Sequence, residues 1–341
     1  MDKLFKLKNW NYYGFFLIFL NLTFLKVNAT NENSNLINII RNAEGKITLT
    51  GPHCNELVEQ ELSLRNWTMN FKETPGAKNT PIRTINNEDC QLVVHDSVPS
   101  IIKKIQDFKS SWNGPNCWNT TLFLTQLNSV IRFTSDQEMS FWMDSPYCRE
   151  LAETETAQPG DLIAIRRSQP IAQRQFEEVH GMIFISEALV FSKNTSSSMS
   201  SYHIQRGSLI YQNFHVDDSD CLKVKGHPSR CHIWANYFRC KSPLNDRELL
   251  EKKNPLFASL SQKVGEIETF LSQFVIANQG NFKNQREQLL IDLSLLEKQL
   301  NENIIKQDPG IFYFQSLLET IQSLKIQIGI IDKAIAKKTK K

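Results

Sequence analysis

Cys117 stands where a loop turns into a helix. Gly114 and Pro115 end whatever precedes it, and Leu122, Leu124 and Leu127 begin an apolar stripe that suits a buried helix, so Cys117 falls in the first turn. There the unpaired backbone N–H groups and the positive end of the helix dipole favour a thiolate, and such settings lower a cysteine pKa to roughly 3.5–7.5. A thiolate nucleophile needs a base, and His180 opens the apolar run that ends at Ser186. The chemistry of that pair is acyl transfer. The thiolate attacks an amide or ester carbonyl, the imidazolium protonates the leaving group, and water or another acceptor resolves the thioester. The backbone N–H of Cys117 is an oxyanion donor at the helix start. Trp118 and Trp112 are placed to line such a cleft, and both are equally well explained as core aromatics.

The elements that must position the pair are legible as strands and turns. Gln158, Pro159, Gly160 and Asp161 turn into a strand over 162–165. A second strand opens at Val179 and His180, and a very short turn at Ser186, Glu187 and Ala188 joins it to a third over 189–194. The order helix-borne Cys, Pro-Gly-Asp strand, strand-borne His resembles the NlpC family of papain-like cysteine peptidases over about residues 112–195. The family's usual Asp-Cys-Ser-Gly is here Asn116, Cys117, Trp118 and Asn119. The resemblance implies a helix packed on a small antiparallel sheet, hydrolysis of amide bonds in cell-wall peptides, and a polar residue at Ser192 to orient the imidazole. Geometry offers a neighbour. If Ile185 and Leu189 close a three-residue loop, His180 lies opposite Asn194, and the period-two alternation puts Ser192 and Asn194 on its face. Either accepts a hydrogen bond from an imidazole N–H, whereas Lys193 cannot.

The chain begins with Lys3, Lys6 and Lys8, the apolar run from Gly14 to Leu25, and a small-residue exit at Ala29, the three-part pattern of a secretory signal peptide over residues 1–29. Its four lysines and one aspartate carry the whole formal net charge of +3, so the remainder is near neutral and nothing calls for nucleic acid. Export to the periplasm, cell envelope or medium permits disulfides. Seven cysteines are an odd number, and the leftover thiol is assigned to Cys117. A Cys54–Cys90 bridge and another among Cys221, Cys231 and Cys240 follow from proximity in sequence. The sequons at Asn66, Asn119 and Asn194 include two inside the proposed site, where a glycan would obstruct it.

Residues 30–95 read as a loop-rich region with one strand near 46–50, and 96–242 as the hydrolase domain, in which 202–205 and 208–214 look like further strands. His215, His227, His232 and the last three cysteines offer zinc-ligand types without close paired spacing, so no metal or cofactor is expected. Beyond residue 243 the period turns helical. Apolar residues step by threes and fours through 256–274, 289–304 and 314–331, with breaks at 278–280 and 308–310. That spacing predicts a C-terminal helical hairpin or three-helix bundle whose heptad-like faces at 256–337 also suit self-association or a protein partner. The expected fold class is α+β. Two further functions stand beside the hydrolase: a related acyltransferase of the lecithin:retinol type, and a catalytically silent secreted scaffold acting through its helical tail.

Overall fold

The computed structural model describes residues 37–83, 89–168, 176–216, 232–304 and 310–338. The leader pattern at 1–29 and the cysteines at 221 and 231 lie outside the described residues. The fold mixes α and β, with two antiparallel sheets and a helical C-terminal part.

The first sheet orders its strands β1 (Asn38–Arg41), β2 (Ile47–Gly51), β4 (Cys90–Val93) and β3 (Ile82–Arg83). Helix α1 (Cys54–Asn70) packs on it. The region expected to be loop-rich is therefore structured. The helix escapes a hydrophobicity scan because half of its buried face is polar: Leu57, Leu64 and Trp67 alternate with Gln60, Glu61 and Thr68. Glu61 accepts from Ser97 Oγ at 2.7 Å, and Thr68 donates to the Ser97 carbonyl at 2.8 Å, so those groups are satisfied. A Cys54–Cys90 disulfide ties the helix start to β4.

The second sheet runs β5 (Cys148–Glu150), β10 (Ile233–Cys240), β6 (Leu162–Ser168), β7 (Phe176–Phe184), β8 (Leu189–Lys193) and β9 (Tyr202–Arg206). Central β6 reads Leu-Ile-Ala-Ile without alternation because both of its faces are covered. Leu162 and Ala164 meet α3 (Cys117–Leu124) and α4 (Asp136–Met143). Ile163 and Ile165 meet the opposite layer, which includes α5 (Gly207–Asn213). Residues 208–214, expected as a strand, are thus helical. Their short apolar run fits either period, and Ile210 buries against the sheet from α5. The second disulfide joins Cys148 to Cys240 at paired positions of β5 and β10. Cys240 therefore takes no part in the bridge expected among Cys221, Cys231 and Cys240: the topology sets Cys148 beside it across 92 residues of sequence, and the remaining pair, Cys221 with Cys231, lies outside the described residues. Cys117 is the free, buried cysteine of the described residues.

The helical part comprises α6 (Leu244–Lys253), α7 (Pro255–Ala277), α8 (Phe282–Ile304) and α9 (Ile311–Lys338). Asn254 caps α7 by accepting from Phe257 N at 3.0 Å, and Pro255 takes the first helical position. Asn278 ends it in the left-handed region at φ 55°. Leu260, Val264 and Leu271 interlock with Leu293, Leu300, Ile321 and Leu324, so the three apolar stripes satisfy one another within the chain. None of the described helices is long and apolar enough to cross a membrane.

Candidate active site

Cys117 is the first residue of α3, as its sequence context predicts. Asn116 caps the helix, accepting from Asn119 N at 3.0 Å, while its own amide donates to the Thr134 carbonyl at 2.7 Å. Asn119, the sequon residue, is fully buried and holds the following loop by donating to Val130 O and accepting from Arg132 N, both at 3.0 Å.

The sulfur faces β7 at Gly181. A Cβ on Gly181 would lie 2.6 Å from Thr121 Oγ1 and 3.4 Å from Trp118, so only glycine lets α3 approach this closely. Burial pushes the Cys117 thiol up to about 11. The backbone N–H groups of Gly181, Trp118 and Cys117 and the charge of Lys193 pull the other way and do not overcome it. The helix N-terminus alone does not make this thiol a nucleophile, because desolvation of the thiolate is the larger effect.

His180 is the residue before Gly181, and neighbouring strand residues point to opposite faces. It lies across from Ile165 and stacks on Phe214 with ring centroids 4.6 Å apart, in the layer that holds Met182 and Ile163. Cys117 and His180 are therefore on opposite faces of the sheet, and the expected thiolate–imidazole pair is not assembled. Alternation ranks neighbours by face, but it does not say which face the cysteine helix covers. Neither ring nitrogen of His180 has a hydrogen-bond partner among the described residues, and burial alone brings its pKa down to about 3. A β-bulge adjoins it: Ile165 pairs with His180 and Arg166 with Glu178, leaving Val179 as the extra residue.

Ser192 and Asn194 do not orient the imidazole. Ser192 Oγ donates to Asn194 Oδ1 at 3.0 Å, and Gln205 Nε2 donates to both, at 2.6 and 2.9 Å. Gln205 in turn meets His203 Nε2 at 3.0 Å. The loop closure at Ile185 and Leu189 does form, with Ile183 across from Phe191.

Two groups that matter were missed in the sequence. Lys193, set aside because it cannot accept from an imidazole, is fully buried and shares the face of Phe191 and Cys117 rather than that of Ser192. Its ammonium donates to the carbonyls of Thr195 at 2.8 Å and Ser197 at 2.6 Å and lies 5.7 Å from the Tyr202 ring centroid. Burial lowers its pKa to about 8, partly offset by Cys117. The available signal was alternation itself, which separates 191 and 193 from 192. Glu178 is buried against Arg166 at 3.0 Å, and Arg166 lies between the rings of Phe176 and Phe238. Desolvation raises the Glu178 carboxyl to about 7 against the pull of Arg166, with Asp144 and Asp136 adding to the rise.

Trp118 contacts the α4 core, and Trp112 belongs to the junction with the bundle. The Trp112 indole donates to Asn278 Oδ1 at 2.7 Å, and its ring stacks on Phe274 at 5.4 Å. The Pro-Gly-Asp turn is structural. Asp161 accepts from Gln158 N at 2.7 Å and takes the Arg239 guanidinium at 3.0 and 2.8 Å, closing its own turn and clamping β10. Among the described residues no group of three or more His, Cys, Asp or Glu side chains could hold a metal ion. No family model, curated protein or solved structure matches the chain.

Proposed function

We propose that this chain is an exported, disulfide-braced binding or scaffold protein built on a papain-like, NlpC-type module that does not perform cysteine–histidine chemistry. The observation that carries this reading is the placement of Cys117 and His180 on opposite faces of one sheet, with the thiol pushed up rather than down. The module's shape supports the family likeness: a capped, cysteine-initiated helix lies on an antiparallel sheet. The two disulfides and the leader-like first 29 residues support export.

A second reading, hydrolysis or transfer of an acyl group such as a wall-peptide amide, is favoured by Lys193. This buried amine lies on the Cys117 face and is held partly in its basic form. One experiment separates the readings: the rate of iodoacetamide labelling of Cys117 between pH 5 and 10 in the folded chain, in His180→Phe and in Lys193→Met. The scaffold reading expects slow labelling in all three, rising only above the ordinary thiol pKa of roughly 8.5. Fast labelling near neutral pH sinks it. Loss of that speed in Lys193→Met would then establish a cysteine–lysine pair, and loss in His180→Phe a rearranged cysteine–histidine pair.

A further inference from the structure

One end of the helical bundle carries charge that its neighbours do not compensate. There α7 gives way to α8, and α9 reaches Lys338. Arg286 of α8 and Asp332 of α9 meet at 2.6 Å and neutralise each other. Around that pair Lys283, Lys333, Lys337 and Lys338 are exposed, and among the described residues none of the four forms an ion pair. Glu287, also exposed, offsets one of them. The result is a local excess of positive charge on a chain that is near neutral beyond residue 29.

We propose that this end docks on a bilayer of anionic phospholipids and seats one phosphate headgroup in a recess between α9 and the loop leading to α3. The recess, about 210 Å³, is lined by Trp112, Asn113, Ser198, Lys337 and Lys338 among others, and no carboxylate lines it. Two ammonium groups without an acid select an anion. Trp112 forms a fixed wall, because its indole donates to Asn278 Oδ1 at 2.7 Å and its ring stacks on Phe274. Lys338 Nζ lies 3.7 Å from the centroid of that ring, so one ammonium is held at the recess rather than left to swing in solvent.

An apolar side chain beside the recess favours a lipid over other polyanions. Met199 is 74% exposed and follows Ser198, whose N–H donates to Asn113 Oδ1 at 2.8 Å. The boundary between headgroups and acyl chains takes up a thioether, whereas a nucleic-acid backbone offers it nothing. Clusters of roughly four to eight lysines and arginines bind anionic bilayers, and each one near the surface strengthens adsorption about fivefold.

The test is acetylation of surface lysines in the full chain by an amine-specific reagent, mapped by mass spectrometry. Vesicles are of phosphatidylcholine alone or mixed equally with phosphatidylglycerol. The leader-like segment is common to every sample, and the footprint reports each lysine separately. Anionic vesicles should slow acetylation of Lys283, Lys333, Lys337 and Lys338 at least fivefold, and phosphatidylcholine should not. The protection should vanish in about 1 M NaCl, which cuts the screening length to about 3 Å. Lys263 and Lys298 lie more than about 20 Å back along α7 and α8 at 1.5 Å per residue, and should stay reactive. Lys333→Gln, Lys337→Gln and Lys338→Gln together change only exposed positions, so the variant should fold, which a thermal melt verifies, and its Lys283 should lose protection. Absence of protection in the unaltered chain, equal protection by phosphatidylcholine, or protection that survives salt or the triple substitution overturns the proposal. Equal protection by a DNA duplex at matched phosphate concentration overturns the assignment to lipid. Cys117 labelling reports on a different part of the molecule, so either proposal can fail while the other stands.

Discussion

His180 makes stability depend on pH in a way that tests its placement. Its pKa falls from the ordinary 6.5 in the unfolded chain to about 3 in the folded protein, because the buried ring has no partner to support a charge. A group whose folded pKa is depressed contributes fully above the unfolded value, and that contribution is lost as pH falls from 6.5 toward 3. At pH 5 most unfolded chains have taken up the proton and folded ones have not, a loss of about 2 kcal/mol relative to neutral pH at 1.36 kcal/mol per pKa unit. His180→Phe keeps an aromatic ring against Phe214 and removes the titration. Urea unfolding of the oxidised protein, followed by tryptophan fluorescence at pH 7.5 and 5.0, measures the difference. The wild-type chain should lose about 2 kcal/mol more than the variant over that interval. Other titrating groups, including His95, whose burial also lowers its pKa, remain in both proteins and cancel. Equal losses in the two proteins would refute the buried, unpartnered ring. They would show that His180 reaches water or an anion, as it would if it faced a cleft.

Glu178 should give the opposite slope. Its folded pKa is raised from 4.5 to about 7, so its contribution is present below 4.5 and lost as pH rises through 7; Glu178→Gln should become more stable relative to wild type between pH 5 and 7.5, by about 2 kcal/mol in the same urea assay. Arg132→Met leaves Glu138 and Glu268 without their buried cation, and urea unfolding should show a loss of about 3–5 kcal/mol, partly restored by adding Glu138→Gln. Peptide mapping without reduction should recover Cys54 linked to Cys90 and Cys148 linked to Cys240. A peptide joining Cys240 to Cys221 or Cys231 would contradict the strand pairing of β5 with β10.

What the sequence made legible was local. The start of α3 at Cys117, the short connection of β7 to β8, the Cys54–Cys90 bridge and the stripes of α7, α8 and α9 all follow from spacing within a few tens of residues. What stayed hidden depends on contacts distant in sequence. The face taken by His180 is set by which side of β7 receives α3, and Gly181 decides that through its lack of a side chain. The Cys148–Cys240 bridge follows from sheet order rather than proximity. Helix α1 was masked because polar residues occupy buried positions that only Ser97 and its neighbours make tolerable.

The helical tail is part of the same body as the module, and the hydrogen bonds show why. Two backbone amides of the loop between α3 and α4 are satisfied by α9: Phe133 N donates to Gln327 Oε1 at 3.0 Å, and Ser135 N donates to Ser323 Oγ at 2.9 Å. Between them, Thr134 accepts from the Asn116 side chain, the residue that caps α3. On the other side of the cap, Trp112 N and Ser111 Oγ donate to the Val275 and Ile276 carbonyls near the end of α7, at 3.0 and 2.9 Å. The approach to Cys117 is thus held from both sides by helices about 160–210 residues later in the chain. Each of those groups would be left without its partner if the bundle were removed, and an unsatisfied buried polar group costs about 1–3 kcal/mol. Stability of the module and docking of α7 and α9 are therefore one cooperative property.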